Sequence, residues 1–184
     1  VLADGAEPTD SQVRVDASGQ YYDVVQGKTP VLRYNYGSVP VPEGTHKHFE
    51  EGESYERGDY ISPMFGPSGQ IITEDYPADH PHHRGVWWSW PVTRWGDQLA
   101  DIWAVVRVHA RPSGDKRPRI TAGPVMAEIE AQNLWKWEDT TPIVREDVLI
   151  RAFRATEAGR YVDVQVCLTG LVDGVAIGGR PKAG

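Results

Sequence analysis

The segment DYPADHPHHRGVWWSW, residues 75–90, concentrates side chains that can do chemistry. An imidazole donates or accepts a proton near neutral pH and also binds metals, so His80, His82 and His83 suit acid/base or metal-assisted catalysis. Asp79 can accept a ring N–H from His80 or His82, which fixes the tautomer of the imidazole and raises its basicity. We therefore predict that the three histidines and Asp79 are catalytic.

Strand spacing would divide these histidines between two faces. Alternate side chains of a β-strand lie on the same face, so His80 and His82 would share one face and His83 would take the other. At most two imidazoles would then converge directly on one site, and one histidine would be structural. Gly85 follows as a small residue where a ligand or another backbone segment can approach closely.

Three tryptophans come next, and the same spacing places Trp88 and Trp90 on one face and Trp87 on the other. An indole beside polar donors suits stacking on a sugar ring, although tryptophans in β-proteins lie more often in the core. Arg84 and Arg57 suit an anionic or hydroxyl-rich group, with a surface ion pair as the default role. We predict that Arg84 and the three tryptophans bind the ligand.

The cofactor is unknown from sequence, with a divalent metal as the candidate. His46 and His48 in THKHF stand at strand spacing, and Glu50 or Glu51 beside them would add an oxygen ligand. No compact zinc signature such as His-Glu-x-x-His is present, so these residues would have to meet the later histidines in space. The alternative is that His46 and His48 lie in a solvated loop within the long polar stretch 37–58.

The carboxylate partner of an acid/base histidine is not fixed by spacing. An imidazole acting on a ligand needs a carboxylate across the site, and the candidates are Glu74, Asp75, Asp79, Glu128, Glu130 and Glu146. A serine or cysteine nucleophile is not favoured. No Gly-x-Ser-x-Gly is present, and Cys167, within the alternating run YVDVQVCL, is predicted to be a small buried side chain.

Composition narrows the partners and the architecture. The 184 residues carry a net charge of −7, so there is no basic surplus for nucleic acid or an anionic membrane. No apolar run approaches the roughly 20 residues that span a bilayer. The length and the 40% hydrophobic content predict one domain over residues 1–184. Because the chain begins without methionine, we expect an exported bacterial protein, periplasmic or secreted after signal removal.

The end of the sequence, VAIGGRPKAG, is an apolar strand-like run that stops at a Gly/Pro/Lys stretch. No closing element follows it. We therefore expect an incomplete chain whose domain continues beyond residue 184, or a second chain or fragment that completes the sandwich. An open strand edge invites such pairing.

Alternation of apolar and polar residues dominates the pattern and predicts strands within residues 101–110, 124–137, 146–155 and 160–171. Residues 19–37 are predicted to form a hairpin. With 19 glycines and 14 prolines between short strands, the fold class is predicted to be all-β, an antiparallel β-sandwich. A concave sheet face of such a sandwich is a common place to hold a sugar.

Several segments resemble the DUF6807 family, which also carries the label "methane oxygenase PmoA-like". They are KTPVLRYNYG (28–37), YISPMFGPSGQIITEDYPADHPHHRGVWWSW (60–90), DIW (101–103) and NLWKWED (133–139), and the similarity covers most of residues 20–180. The family is similar in turn to the galactose-mutarotase-like β-supersandwich proteins, whose members bind or modify carbohydrates. The resemblance therefore implies that fold and a small-molecule carbohydrate as the partner.

Mutarotases place a histidine in a short His-Gly stretch ahead of aromatic residues and use it as the acid, with a late glutamate as the base. His82 or His83, before Arg84 and Gly85, is the closest match. The late glutamate cannot be placed on this sequence, so the resemblance leaves the base unassigned.

Three hypotheses follow from these patterns. The first is an enzyme, such as a sugar epimerase, lyase or glycoside-processing enzyme (for example a hydrolase), that works on a sugar or glycoside in the concave cleft. The second is a non-catalytic carbohydrate-binding module, in which the tryptophans stack and the histidines only hydrogen-bond hydroxyl groups. The third is a purely structural sandwich. A carboxylate within reach of a motif histidine across an open cleft would separate the first from the second.

Overall fold

The computed structural model describes residues 12–44, 52–80 and 82–180, and this part of the chain contains strands and no helix. Twelve strands are described there: β1 (Val13–Ala17), β2 (Tyr21–Gln26), β3 (Thr29–Asn35), β4 (Tyr60–Met64), β5 (Val92–Trp95), β6 (Gln98–Ala100), β7 (Val108–Pro112), β8 (Arg119–Ala122), β9 (Met126–Trp137), β10 (Thr141–Phe153), β11 (Val162–Gly170) and β12 (Val175–Gly178).

The strands form three sheets, and every pairing is antiparallel. The first sheet has the order β1-β2-β3-β4, the second β11-β10-β9-β7 with β8 also on β9, and the third β12-β5-β6. The predicted hairpin is the β2–β3 pair, which Gly27 closes with a positive φ of 58°. None of the described residues forms a helix long and apolar enough to cross a membrane.

The first and second sheets pack face to face and enclose the first apolar core. Alternation along β9, and along β10 from Val144 onwards, turns every second side chain inward, among them Ile129 and Ile150. These meet Val24, Leu32 and Ile61 from the first sheet in one buried cluster. Burying each such side chain contributes about 1.5–3 kcal/mol. The predicted all-β antiparallel sandwich is confirmed.

A second apolar core lies at the other end of the long strands β9 and β10. Trp135, Trp137 and Ile143 are buried there, and Trp95 from the third sheet packs against them. Between the two cores, β9 and β10 bring Asn133 and Glu146 into register, and both are fully buried. A polar layer therefore separates the two cores.

The prediction of a strand over residues 101–110 is wrong in its first half. Residues 101–106 form a tight turn closed by an Asp101–Val106 bridge, and β7 begins only at Val108. The Asp101 carboxylate caps this turn by accepting the backbone N–H groups of Trp103, at 2.7 Å, and Ala104, at 3.0 Å. Local side-chain acceptors of this kind compete with strand pairing.

The prediction that Cys167 is buried is also wrong. Cys167 is exposed, because β11 lies at the edge of the second sheet and most of its side chains keep contact with solvent. Val164, on the opposite face of this strand, is 37% exposed. The alternating sequence predicted the strand correctly, but the pattern alone does not show whether another layer covers it.

Candidate functional site

The histidine motif is a turn rather than a strand. Asp75 and Arg84 form an isolated bridge, and the chain between them folds back on itself. The backbone N–H of Tyr76 donates to the carbonyl of His83 at 3.0 Å, and that of His83 donates to the carbonyl of His80 at 2.9 Å. Strand spacing therefore does not apply to these residues.

As a result, all three imidazoles come together. The ring centroids of His80 and His83 are 5.0 Å apart and stacked, those of His82 and His83 are 4.6 Å apart and edge to face, and those of His80 and His82 are 5.8 Å apart. The predicted division of these histidines between two strand faces is wrong, because a turn can present consecutive side chains to one place.

The ionisable groups of this cluster differ in their exposure and in the causes of their pKa shifts. Asp79 contacts His80, with 3.0 Å between Oδ2 and Nδ1, as the sequence suggested, and the hydrogen bond from His80 lowers the pKa of Asp79. Both side chains are largely exposed, at 80% for Asp79 and 54% for His80. The pKa of His82 is lowered, first by burial and then by its neighbours His83 and His80. His82 therefore favours its neutral form.

A cavity of about 660 Å³, which we call the tryptophan cavity, opens beside this cluster. Its walls include four indoles, from Trp87, Trp88, Trp90 and Trp103, and its polar lining includes Thr73, Glu74, His83 and Ser89. Trp87 lines the same cavity as Trp88 and Trp90, so the prediction of opposite faces is wrong. Residues 87–90 are not in a strand.

The sequence left core packing and ligand contact as alternatives for these tryptophans. Trp88 and Trp90 pack against a core and also line the cavity. Trp88 packs against the first core and Trp90 against the second, with the Trp90 ring 5.7 Å from that of Trp135. Trp87 joins neither cluster. Its ring lies 4.5 Å from that of Trp103 in a T-shaped contact and 4.8 Å from the guanidinium of Arg57.

Arg84, predicted to bind the ligand, lies beneath the site with none of its surface exposed. Its Nε donates to Asp75 at 2.5 Å, and an Nη donates to the backbone carbonyl of Tyr55 at 3.0 Å. The hydroxyls of Tyr60 and Tyr76 accept its remaining donors, and both tyrosine rings stack on the guanidinium. Arg84 thus holds the turn in place and forms an ion pair with Asp75.

This anchoring matters because two of the tyrosines have unfavourable backbone conformations. Tyr55 has a φ of 52° and Tyr76 a φ of 55°, in the left-handed region that side-chain-bearing residues rarely adopt. Such conformations persist where the surroundings fix them. The contacts from Arg84 to the Tyr55 carbonyl and the Tyr76 hydroxyl supply that restraint.

Another backbone segment approaches Gly85 so closely that only glycine fits at this position. Such an approach is one of the two roles that the sequence predicted for Gly85. Its φ is +72°, and a Cβ there would lie 2.5 Å from the carbonyl oxygen of Ile61. The backbone of Val86 pairs with Ile61 in both directions, at 2.8 and 3.0 Å. The motif is thereby fastened to β4 immediately before the tryptophans.

The buried polar layer lies directly behind Trp88. Glu146 accepts the indole N–H of Trp88 at 2.5 Å and also that of Trp135, and a further hydrogen bond joins it to the Asp59 carboxyl. Asp59 accepts the hydroxyl of Tyr34 at 2.7 Å. Burial first, and then the charge of Asp59, raise the pKa of Glu146 well above its usual value. Burial and the neighbouring carboxyl group therefore both favour the protonated form of Glu146.

Arg57 completes the layer and reaches the cavity wall. It is 4% exposed, and an Nη lies 3.5 Å from the hydroxyl of Ser89. Its Nε is buried and has no hydrogen-bond partner among the described residues. Burial lowers the pKa of Arg57 to about 10, while Asp59 and Glu146 oppose that shift. The guanidinium of Arg57 thus interacts electrostatically with both buried carboxyl groups.

The remaining predicted residues fall in different places. Glu74 lines the tryptophan cavity together with His83. Glu128 is bound to Arg151 at 2.7 Å and Glu130 to Arg119, both in ion pairs between strands.

His46 and His48, the predicted metal ligands, lie outside the described residues. Within the part of the chain that is described, no group of three or more His, Cys, Asp or Glu residues could hold a metal ion.

Two components of the site had no signal of their own in the sequence. Asp59 lies between the polar stretch 37–58 and β4 and belongs to no recognisable motif, and Trp103 belonged to a segment predicted as a strand. Glu146 was one of six carboxylate candidates, and only the pairing of β9 with β10 brings it to the indoles of Trp88 and Trp135.

Comparison with known proteins gave one match. The model of the "Family of unknown function (DUF6807)" matches residues 21–184, which is most of the chain. Neither the curated proteins nor the solved structures gave a match.

Proposed function

We propose that this chain, which belongs to the DUF6807 family, binds a carbohydrate in the tryptophan cavity and acts on it through His83. The observation that carries the proposal is the lining of that cavity, in which four indoles stand beside an imidazole, a carboxylate and two hydroxyls. The relationship to galactose-mutarotase-like proteins, and the "PmoA-like" label, remain parts of the resemblance.

The lining suits a sugar for a physical reason. A pyranose has an apolar face of C–H groups and an edge of hydroxyls, so it needs both an aromatic platform and hydrogen-bonding groups. Trp87 offers a platform whose orientation is fixed by Trp103 and Arg57. Glu74, Thr73 and Ser89 offer hydroxyl partners on the same cavity. The volume of about 660 Å³ is in the usual range for small-molecule sites.

His83 and Glu74 are the groups we propose for proton transfer. Of the motif histidines, His83 is the one that lines the tryptophan cavity, and Glu74 lines the same cavity. An imidazole and a carboxylate on one ligand can act as acid and base on a ring oxygen or hydroxyl. The contact between Asp79 and His80 lies at the exposed end of the cluster instead.

The non-catalytic binding module stays as the second candidate. Two carboxylates near the motif lie outside the cavity lining and are already paired, Asp75 with Arg84 and Asp79 with His80. Their pairing favours the binding module. In that case the histidines would contribute hydrogen bonds only, and the tryptophans would supply most of the binding free energy.

The experiment is a glycan array followed by calorimetry and turnover assays on the sugars that bind. We expect Trp87→Ala and Trp88→Ala to weaken binding by about 1–3 kcal/mol, as for an aromatic residue at the centre of an interface. Trp87→Ala is the cleaner variant because Trp87 belongs to neither apolar core.

His83→Gln separates the two candidates. Retained binding with lost turnover supports catalysis, whereas weaker binding without turnover in either protein supports the binding module. Unchanged affinity in Trp87→Ala contradicts the site itself. The extracytoplasmic location stays a prediction, which fractionation of the native host tests.

A further inference from the structure

A second cavity shares Trp103 with the tryptophan cavity. Its volume is about 310 Å³, and Glu53, Tyr55, His82 and Asp101 contribute to its lining. We call it the Glu53 cavity. The indole of Trp103 lines both spaces, so the two cavities meet at this side chain.

The histidine pair stands at the same junction. His83 lines the tryptophan cavity and His82 lines the Glu53 cavity, and their ring centroids are 4.6 Å apart. Both rings also contact Trp103, at 6.5 Å for His83 and 5.9 Å for His82. A ligand crossing from one cavity to the other would therefore pass over two imidazoles.

The Glu53 cavity has the chemistry of a second sugar site. The rings of Tyr55 and Trp103 supply apolar surface, and Glu53 supplies an acceptor for hydroxyl groups. Asp101 is engaged in holding the cavity wall, since it caps the turn at Trp103 and accepts Arg180 at 2.8 Å. Glu74 places a carboxylate in the lining of the first cavity and Glu53 in that of the second, where Arg180 also lies but is paired with Asp101. A carboxylate in each lining disfavours a phosphorylated or uronic sugar, because like charges repel.

We infer that the two cavities are adjacent subsites for one neutral glycan of at least two sugar units, with the linkage between the units lying over His82 and His83. The inference rests on the proposed function, in which the tryptophan cavity holds the first sugar. It adds the length and the charge class of the ligand, and it gives His82 a position at the linkage.

The test compares ligands of different length on the purified chain. A glycan array of neutral mono-, di- and trisaccharides, with uronic acids as charged counterparts, identifies the binding series, and calorimetry then measures each member. We expect the disaccharide to bind at least tenfold more tightly than either of its monosaccharides. A hydrogen bond to a charged group is worth about that factor or more.

Glu53→Ala locates the second subsite. We expect it to weaken disaccharide binding roughly tenfold and to leave monosaccharide binding unchanged. Glu43→Ala is the matched control, because Glu43 is an exposed carboxylate that lines neither cavity. A melting curve of each variant shows whether the fold is intact.

The outcomes distinguish the two proposals. Equal affinity for mono- and disaccharides, or equal losses for both in Glu53→Ala, overturns the second subsite and leaves the proposed function standing. Tighter binding of uronic acids overturns the charge class. Absence of binding to any sugar on the array overturns the proposed function, and the further inference with it.

Discussion

The carboxyl pair behind Trp88 allows a matched comparison of two substitutions. Glu146→Gln and Asp59→Asn each remove one ionisable group, and each leaves one carboxylate to balance Arg57. Their hydrogen-bonding consequences differ. Both oxygens of Glu146 accept an indole N–H, so a glutamine must turn its NH₂ group against Trp88 or Trp135. The substitution therefore removes one hydrogen-bond acceptor. It also places the NH₂ group of the glutamine against an indole N–H, so that two buried donors face each other.

We expect Glu146→Gln to lower the free energy of unfolding by about 2–4 kcal/mol, the sum of a lost charge-assisted bond and an unsatisfied buried donor. Asp59→Asn keeps the geometry. The amide N donates to Glu146, the amide oxygen accepts from Tyr34, and asparagine tolerates the φ of 63° at this position. We expect a loss of about 1 kcal/mol for Asp59→Asn.

The assay is denaturant unfolding followed by tryptophan fluorescence and near-ultraviolet circular dichroism. A difference of 1 kcal/mol corresponds to about 2–4 °C in Tm for a chain of this size, so thermal melts resolve the two variants. The same spectra report whether the environment of Trp88 has changed. Equal losses in the two variants, or a larger loss in Asp59→Asn, would refute the assignment of Glu146 as the acceptor of both indoles.

The raised pKa of Glu146 adds a pH dependence with a definite sign. The pKa of Glu146 is raised in the folded state, so the folded chain binds the proton of Glu146 more tightly than the unfolded chain does. The contribution to stability is complete below the unfolded pKa of about 4.5 and is lost as pH rises towards the folded value. We expect the advantage of the natural chain over Glu146→Gln to shrink by about 1.4 kcal/mol per pH unit above pH 5. An advantage that does not change with pH would contradict the raised pKa of Glu146.

Three further predictions concern the motif. Arg84→Lys should lower the free energy of unfolding by about 3–5 kcal/mol, because a buried charge loses its fixed partners, Asp75 among them; chemical denaturation measures this. Gly85→Ala should cost more than about 1 kcal/mol, because the new Cβ meets the carbonyl of Ile61 at a positive φ; a thermal melt measures it. His82 should titrate below the usual histidine value in NMR, and replacing His80 with Gln should move that midpoint upwards.

Controls for these predictions come from the same chain. Arg14→Lys changes an arginine in an exposed ion pair and should have little effect on stability. Gly69→Ala places a Cβ at a φ of +86° with no atom within 4 Å, so it measures the backbone cost without the clash. If Gly85→Ala costs no more than Gly69→Ala, the close approach to Ile61 is not restrictive. If the midpoint of His82 does not respond to the loss of His80, its shift has another cause.

The sequence determined the class of fold because alternation is a local property. Apolar and polar residues alternate from Ala127 to Gln132, and this pattern alone predicts a strand with one buried face, which β9 has. The hairpin of β2 and β3 was likewise predictable from two short strands around a glycine turn. The residue types of the motif also marked the segment that carries the candidate site.

Which side chains meet depends on tertiary packing. The arrangement of His80, His82 and His83 depends on a turn held by Arg84, and no strand period describes it. Glu146 reaches Trp88 because two strands and a loop come together across 58 positions of sequence. Cys167 is exposed because its strand forms a sheet edge. Local patterns set the direction of side chains, whereas burial and convergence depend on what packs against them, which spacing along the chain does not record.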